Sequence, residues 1–110
     1  MKVSVFRVED ANGEGPYSNS SPVKDKLTAL YAHPAPENDP LLKLIRPDEV
    51  CGFATLCALT EWFAGYEDEL ADAGFEISIY TLPRDHVRFG KEQLVFRRDD
   101  FYPVRTMTMM

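Results

Sequence analysis

Residues 55–80 read TLCALTEWFAGYEDELADAGFEISIY, and this stretch decides the fold. Leu56, Leu59, Phe63, Tyr66 and Leu70 recur at steps of three and four, so at roughly 100° per residue they gather on one stripe of an amphipathic helix. Thr55 is the best N-cap, because its hydroxyl accepts from an orphan amide of the first turn. Gly65 lies inside the pattern and kinks the helix or divides it in two. Gly74 ends it, being the residue type that tolerates the left-handed C′ position, and Phe75 folds back on the last turn. Ile77 and Ile79 then alternate with Glu76, Ser78 and Tyr80, the period of a strand with one face on the core.

The same stretch carries Glu61, Glu67, Asp68, Glu69, Asp72 and Glu76 without one Lys or Arg between Glu61 and Glu76. Glu61, Asp68 and Asp72 fall opposite the apolar stripe, with Glu69 beside them and Trp62 on the flank. Asp68 and Asp72 form a like-charge i,i+4 pair that costs a few tenths of a kcal/mol in an isolated helix. Two readings stay open: a solvated face, or a face built to meet a basic surface.

Working outward, Lys2 to Glu9 alternates, with Ser4, Phe6 and Val8 on one side and Val3, Val5 and Arg7 on the other. It reads as a strand buried on both sides, in which Arg7 is an odd guest. Asp10 to Ser21 is rich in turn formers. Val23 to Tyr31 predicts a short helix, which Pro34, Pro36 and Pro40 stop. Leu41, Leu42, Leu44 and Ile45 form an apolar knot that docks on the core. Val87–Phe89 and Leu94–Phe96 flank Gly90-Lys91 and read as a second strand or a hairpin with a Gly turn. Asp99 to Met110 has no evident pattern and is expected to fray.

With 110 residues, 45% hydrophobic and 27% charged, the chain is expected to form one compact α+β domain over residues 1–110, its main amphipathic helix packed on a small, mostly antiparallel sheet. The formal net charge of −6 disfavours nonspecific contact with nucleic acid. A mildly basic stretch from Arg84 to Arg105 leaves a local anion site open. No apolar run approaches the ~20 residues of a membrane span, and no signal core opens the chain, so a soluble, cytoplasmic protein is expected. Cys51 and Cys57, six apart, read as buried thiols.

No spacing of His33, His86 and the cysteines matches a metal signature, and Asn12-Gly13-Glu14-Gly15 leads into Pro16 instead of a phosphate-capping helix. No catalytic residue, metal or cofactor is assigned. A binding protein is the preferred reading over an enzyme.

Two resemblances add to this. Phe6-Arg7-Val8, then Gly52-Phe53-Ala54-Thr55-Leu56, then Gly90 to Phe96 resembles a reduced ADP-ribosyltransferase pattern. That resemblance implies an NAD site in which Arg7 anchors phosphate or ribose and Thr55 is the middle hydroxyl. Gln93 stands where that family has its Glu, and Glu92, one residue off, points to the other face of a strand. A carboxylate stabilises an oxocarbenium-like transition state far better than an amide does, so the activity implied is an impaired one.

The Phe-Arg-Val-Glu opening, the Gly-Pro-Tyr turn, the Cys-Gly-Phe…Trp-Phe helix and the Gly-Phe…Tyr strand are similar to small phage and prophage accessory proteins. This resemblance implies an acidic factor in the host cytoplasm that inhibits a defence system or a nucleic-acid enzyme, anti-CRISPR proteins being of this kind. The partner is then a host protein with a basic surface. Glu61, Asp68, Glu69 and Asp72 supply the charge, and Trp62 with Tyr17 and Tyr31 the desolvated anchor. A structural or self-associating phage component is the third expectation, and oligomeric state is left open.

Overall fold

The first strand is buried on both sides because its two faces meet different layers. The computed structural model describes residues 1–16, 42, 45–91 and 93–109. Strand β1 (Lys2–Glu9) pairs antiparallel with β3 (Glu76–Pro83), whose far edge carries β6 (Arg105–Met107). A second antiparallel sheet has the order β2 (Glu49–Gly52), β5 (Leu94–Arg97), β4 (Val87–Phe89). Two helices, α1 (Leu56–Trp62) and α2 (Glu67–Asp72), lie between β2 and β3 in the chain.

The register places Val3, Val5, Arg7 and Glu9 opposite Leu82, Tyr80, Ser78 and Glu76. Directly paired residues share a face. The apolar members of that face, Val5, Tyr80 and Leu82, pack on Val87, Leu94 and Phe96 of the second sheet, with the Tyr80 and Phe96 rings 5.2 Å apart. The opposite face presents Phe6, Val8 and Ile77 to Leu59, Phe63, Leu70 and Phe75. Each such buried Leu or Phe stabilises the fold by about 1.5–3 kcal/mol before conformational entropy is subtracted.

A backbone bridge joins the two sheets. Phe6 and Phe53 exchange both backbone hydrogen bonds, at 2.9 and 2.7 Å. The neighbouring Gly52 has room for no side chain, since a Cβ there would sit 2.9 Å from the Phe6 carbonyl oxygen and 3.0 Å from the Phe96 ring. Glycine here permits the close approach of backbones that the junction needs.

The α+β class holds, and Gly65 divides the helix in two. The chain turns through Phe63–Tyr66, with Gly65 at φ +91° and its amide donating to the Glu67 carboxylate. Thr55 caps α1 as its sequence position predicts, its hydroxyl accepting from the Ala58 amide at 3.0 Å. After α2 the Phe75 amide reaches the Leu70 carbonyl and the Gly74 amide reaches Ala71, with Gly74 at φ +90°. These two bonds form a Schellman motif.

Several expectations change. β3 is buried on both faces, because the second sheet covers the side of Tyr80 and Leu82 that the alternation had given to solvent; Ser78, on that same face, is buried too. The end of the chain is ordered by long-range pairing: β6 adds to β3, and Met109 is buried. Cys57 is exposed, since it sits on the side of α1 away from Leu59 and Phe63, and its thiol faces Glu61 at 3.6 Å. Cys51 is half-buried. Gln93 is buried. Leu42 of the apolar knot is fully buried. The expected 23–31 helix, the proline connector, Tyr17, Tyr31 and Glu92 lie outside the described residues.

Candidate functional site

The face that packs on the second sheet turns polar toward the end of β1. Arg7 and Glu9 are each 5% exposed, and their charges are paired: Arg7 Nε donates to Glu9 Oε1 at 2.9 Å. The rest of the guanidinium is equally engaged. Nη1 donates to the Cys51 carbonyl at 2.8 Å and Nη2 to the Gly13 carbonyl at 3.2 Å. The second Glu9 oxygen accepts from the Tyr80 hydroxyl at 2.7 Å. Arg98 adds a contact to Glu9 at 3.3 Å and donates to the Gly13 carbonyl at 3.0 Å. A buried carboxylate needs such a set of donors, because an ion taken out of water without them costs several kcal/mol. Burial, and after it the hydrogen bond to Glu9, holds the Tyr80 phenol above its ordinary pKa, with Arg98 opposing.

Gly13 is brought to the network by the turn after β1. The Asp10 carboxylate accepts from the amides of Asn12 and Glu14, and the Gly13 amide returns to the Asp10 carbonyl. This is an Asx-type turn.

Over the network opens a cleft of about 510 Å³. Buried Glu9, Ser78 and Tyr80 line it with exposed Thr106; Asp10, Glu76, Arg98 and Asp99 supply further charges, and Phe101 and Tyr102 aromatic surface. Tyr102 is 83% exposed. Asp99 faces His86 at 3.5 Å and Arg97 at 3.9 Å.

A second ion pair, with a buried carboxylate and a half-buried arginine, lies on the other sheet. Arg88 grips Glu49 with both arms, Nε to Oε2 at 2.7 Å and Nη2 to Oε1 at 2.6 Å, and the Arg46 amide joins at 2.9 Å. The Arg88 hydrogen bonds hold the Glu49 carboxyl below the usual range against the opposing effect of burial.

Glu61, Asp68 and Asp72 are exposed and Glu69 half-buried on the two helices. Among the described residues no ion pair reaches any of the four. Trp62 is half-buried, its ring 5.6 Å from that of Phe53. Because the chain turns at Gly65, Glu61 and Trp62 belong to one helix and Asp68, Glu69 and Asp72 to the other.

The two resemblances fare differently. Arg7 is enclosed by Glu9, Cys51 and Gly13, and Thr55 is occupied as a helix cap, so neither presents the free group that an NAD site asks of it. Among the described residues no group of three or more His, Cys, Asp or Glu side chains is placed to hold a metal ion, and no helix is long and apolar enough to cross a membrane.

The two antiparallel sheets and two short helices make this a small α+β protein. Over residues 1–110 the chain matches the family model described as Bacteriophage T4 Y00F protein, and it belongs to that family. No curated protein and no solved structure matches it.

The Glu9, Tyr80 and Arg98 constellation was not found by sequence reasoning. Its members are 71 and 89 residues apart. The one local signal was Arg7, a cation in a buried strand with a carboxylate two residues away on the same face.

Proposed function

We propose that this phage protein works by binding, its acidic helix surface occluding a basic surface on a host protein such as a defence or nucleic-acid enzyme. One observation carries the reading: the chain uses Arg7, Arg98 and Arg88 inward, on Glu9 and Glu49, and leaves Glu61, Asp68 and Asp72 outward without a cation among the described residues. The helix dipole favours Asp68 and Glu69, which stand in the first turn of α2, but it does not account for Asp72. Asp72 stands in the last turn of α2, where the helix dipole favours cations, and one turn from a like charge at Asp68. A residue that is unfavourable where it stands and exposed is suited to a partner. Trp62 supplies adjoining aromatic surface.

The test is recovery of a partner from host cells by three proteins: wild type, Asp68→Lys/Glu69→Lys/Asp72→Lys, and Glu14→Lys/Asp48→Lys/Asp85→Lys. The last changes charge equally, at exposed sites away from the helices. A partner kept by the control and lost by the helix variant supports the reading; a partner kept or lost by both alike refutes it.

A further inference from the structure

We infer that the cleft beside Tyr80 receives one cationic side chain, a lysine or an arginine, from a partner protein. The inference rests on the proposed function only in taking the partner to be basic. It assigns a specific pocket, away from the helix face, for one anchoring residue.

Charge sets the sign of the ligand. Asp10, Glu76 and Asp99 line the cleft with Glu9, against Arg98 alone, and Arg98 is already turned on Glu9 and the Gly13 carbonyl. A low-dielectric wall on one side focuses such a field on the entrance. An anion would meet Asp10 and Glu76, which have no ion pair among the described residues, as well as Asp99, which faces Arg97 and His86.

The floor supplies an acceptor waiting for a donor. Ser78 is 4% exposed, lines the cleft, and its hydroxyl has no hydrogen-bond partner among the described residues. A buried hydroxyl left unpaired is destabilising, and such groups in native proteins are almost always satisfied. Glu76, on the same face of β3 and nearer the mouth, likewise has no ion pair among the described residues. An ammonium offers three donors and a guanidinium five, which Ser78, Glu76 and the second Asp10 oxygen are placed to accept.

The wall suits the stem and the charge. Phe101 and Tyr102 are exposed aromatics at the rim. An aromatic face attracts a cation and covers the methylenes that carry it. Hydroxyl, carboxylates and rings together describe a pocket for a cation on an apolar stem.

The experiment is a titration of the ¹⁵N-labelled protein, read by amide chemical shifts, with Nα-acetyl-arginine amide, Nα-acetyl-lysine amide, neutral Nα-acetyl-glutamine amide, and inorganic phosphate. Saturable shifts at Asp10, Ser78 and Thr106 with the two cations, absent with the other two ligands, are expected. Glu76→Gln and Ser78→Ala should each weaken binding by about fivefold while leaving the spectrum dispersed. A response to phosphate or glutamine amide equal to that to the cations overturns the pocket, as does unchanged affinity in both variants. Shifts confined to Asp68, Glu69 and Asp72 overturn the pocket and leave the helix-face reading standing. Silence at both places with every cation counts against both.

Discussion

The Tyr80 hydroxyl donates to the Glu9 carboxylate at 2.7 Å, joining two buried side chains of paired strands that stand 71 residues apart in the chain. They share one face two rungs apart, Glu9 lying opposite Glu76 and Tyr80 opposite Val5, with the Arg7 and Ser78 pair between them. The bond closes the polar end of a face that is otherwise apolar core.

Tyr80→Phe keeps the ring against Phe96 and removes only the donor. Hydrogen bonds to charged groups contribute about 1.5–3 kcal/mol, so a loss of about 2 kcal/mol in urea unfolding is expected. The pH dependence follows from the raised phenol. Its contribution is complete below the ordinary tyrosine value of about 10 and is lost as pH rises through the higher native value. Wild type should therefore lose stability above about pH 10 more steeply than Tyr80→Phe.

Glu9→Gln leaves the Arg7 guanidinium buried without its counter-ion, and breaking a buried pair from one side costs about 3–5 kcal/mol. Arg7→Met/Glu9→Met removes both charges. The double variant should be more stable than Glu9→Gln in the same denaturant series, because it strands no ion, although Arg98 loses a partner too.

The Glu49 and Arg88 fork governs the acid limb. Glu49 has a lowered folded pKa, so its stabilisation is present above the usual carboxylate value of about 4.3 and is lost as pH falls through the depressed native value. Stability measured from pH 6 down to pH 2 should fall less steeply in Arg88→Met/Glu49→Met than in wild type. Arg88→Met alone should be the least stable at pH 6, with Glu49 buried and its main partner gone.

Gly74→Ala places a side chain at φ +90° with no atom within 4 Å to obstruct it. The cost is conformational alone, about 1 kcal/mol. A loss of that size, with the spectrum of the helix cluster unchanged, is the expected outcome.

What was legible in the chain was local. The alternation of Lys2 to Glu9, the Thr55 cap, the Gly74 stop and the Val87 to Phe96 hairpin all rest on neighbours within a few residues, where propensity and period carry information. β2 and β6 did not announce themselves, because Glu49–Gly52 and Arg105–Met107 are strands only by virtue of pairing with β5 and β3. The burial of Tyr80 has the same origin: its covering sheet arrives from elsewhere in the chain. The acidic run was plain to read, while the cleft, assembled from the ends of β1, β3 and β6 and the segment after β5, was not.

The central claim, that exposed carboxylates on the two helices exist to meet cations on another molecule, is tested most directly by the dissociation constant for a twelve-residue oligolysine at low and at near-physiological salt. The probe is compared on wild type, Asp68→Lys/Glu69→Lys/Asp72→Lys and Glu14→Lys/Asp48→Lys/Asp85→Lys. The helix variant should bind about tenfold more weakly than the charge-matched control and with a flatter salt dependence. Equal weakening in the two variants would contradict the claim, since the helices would then contribute nothing beyond net charge.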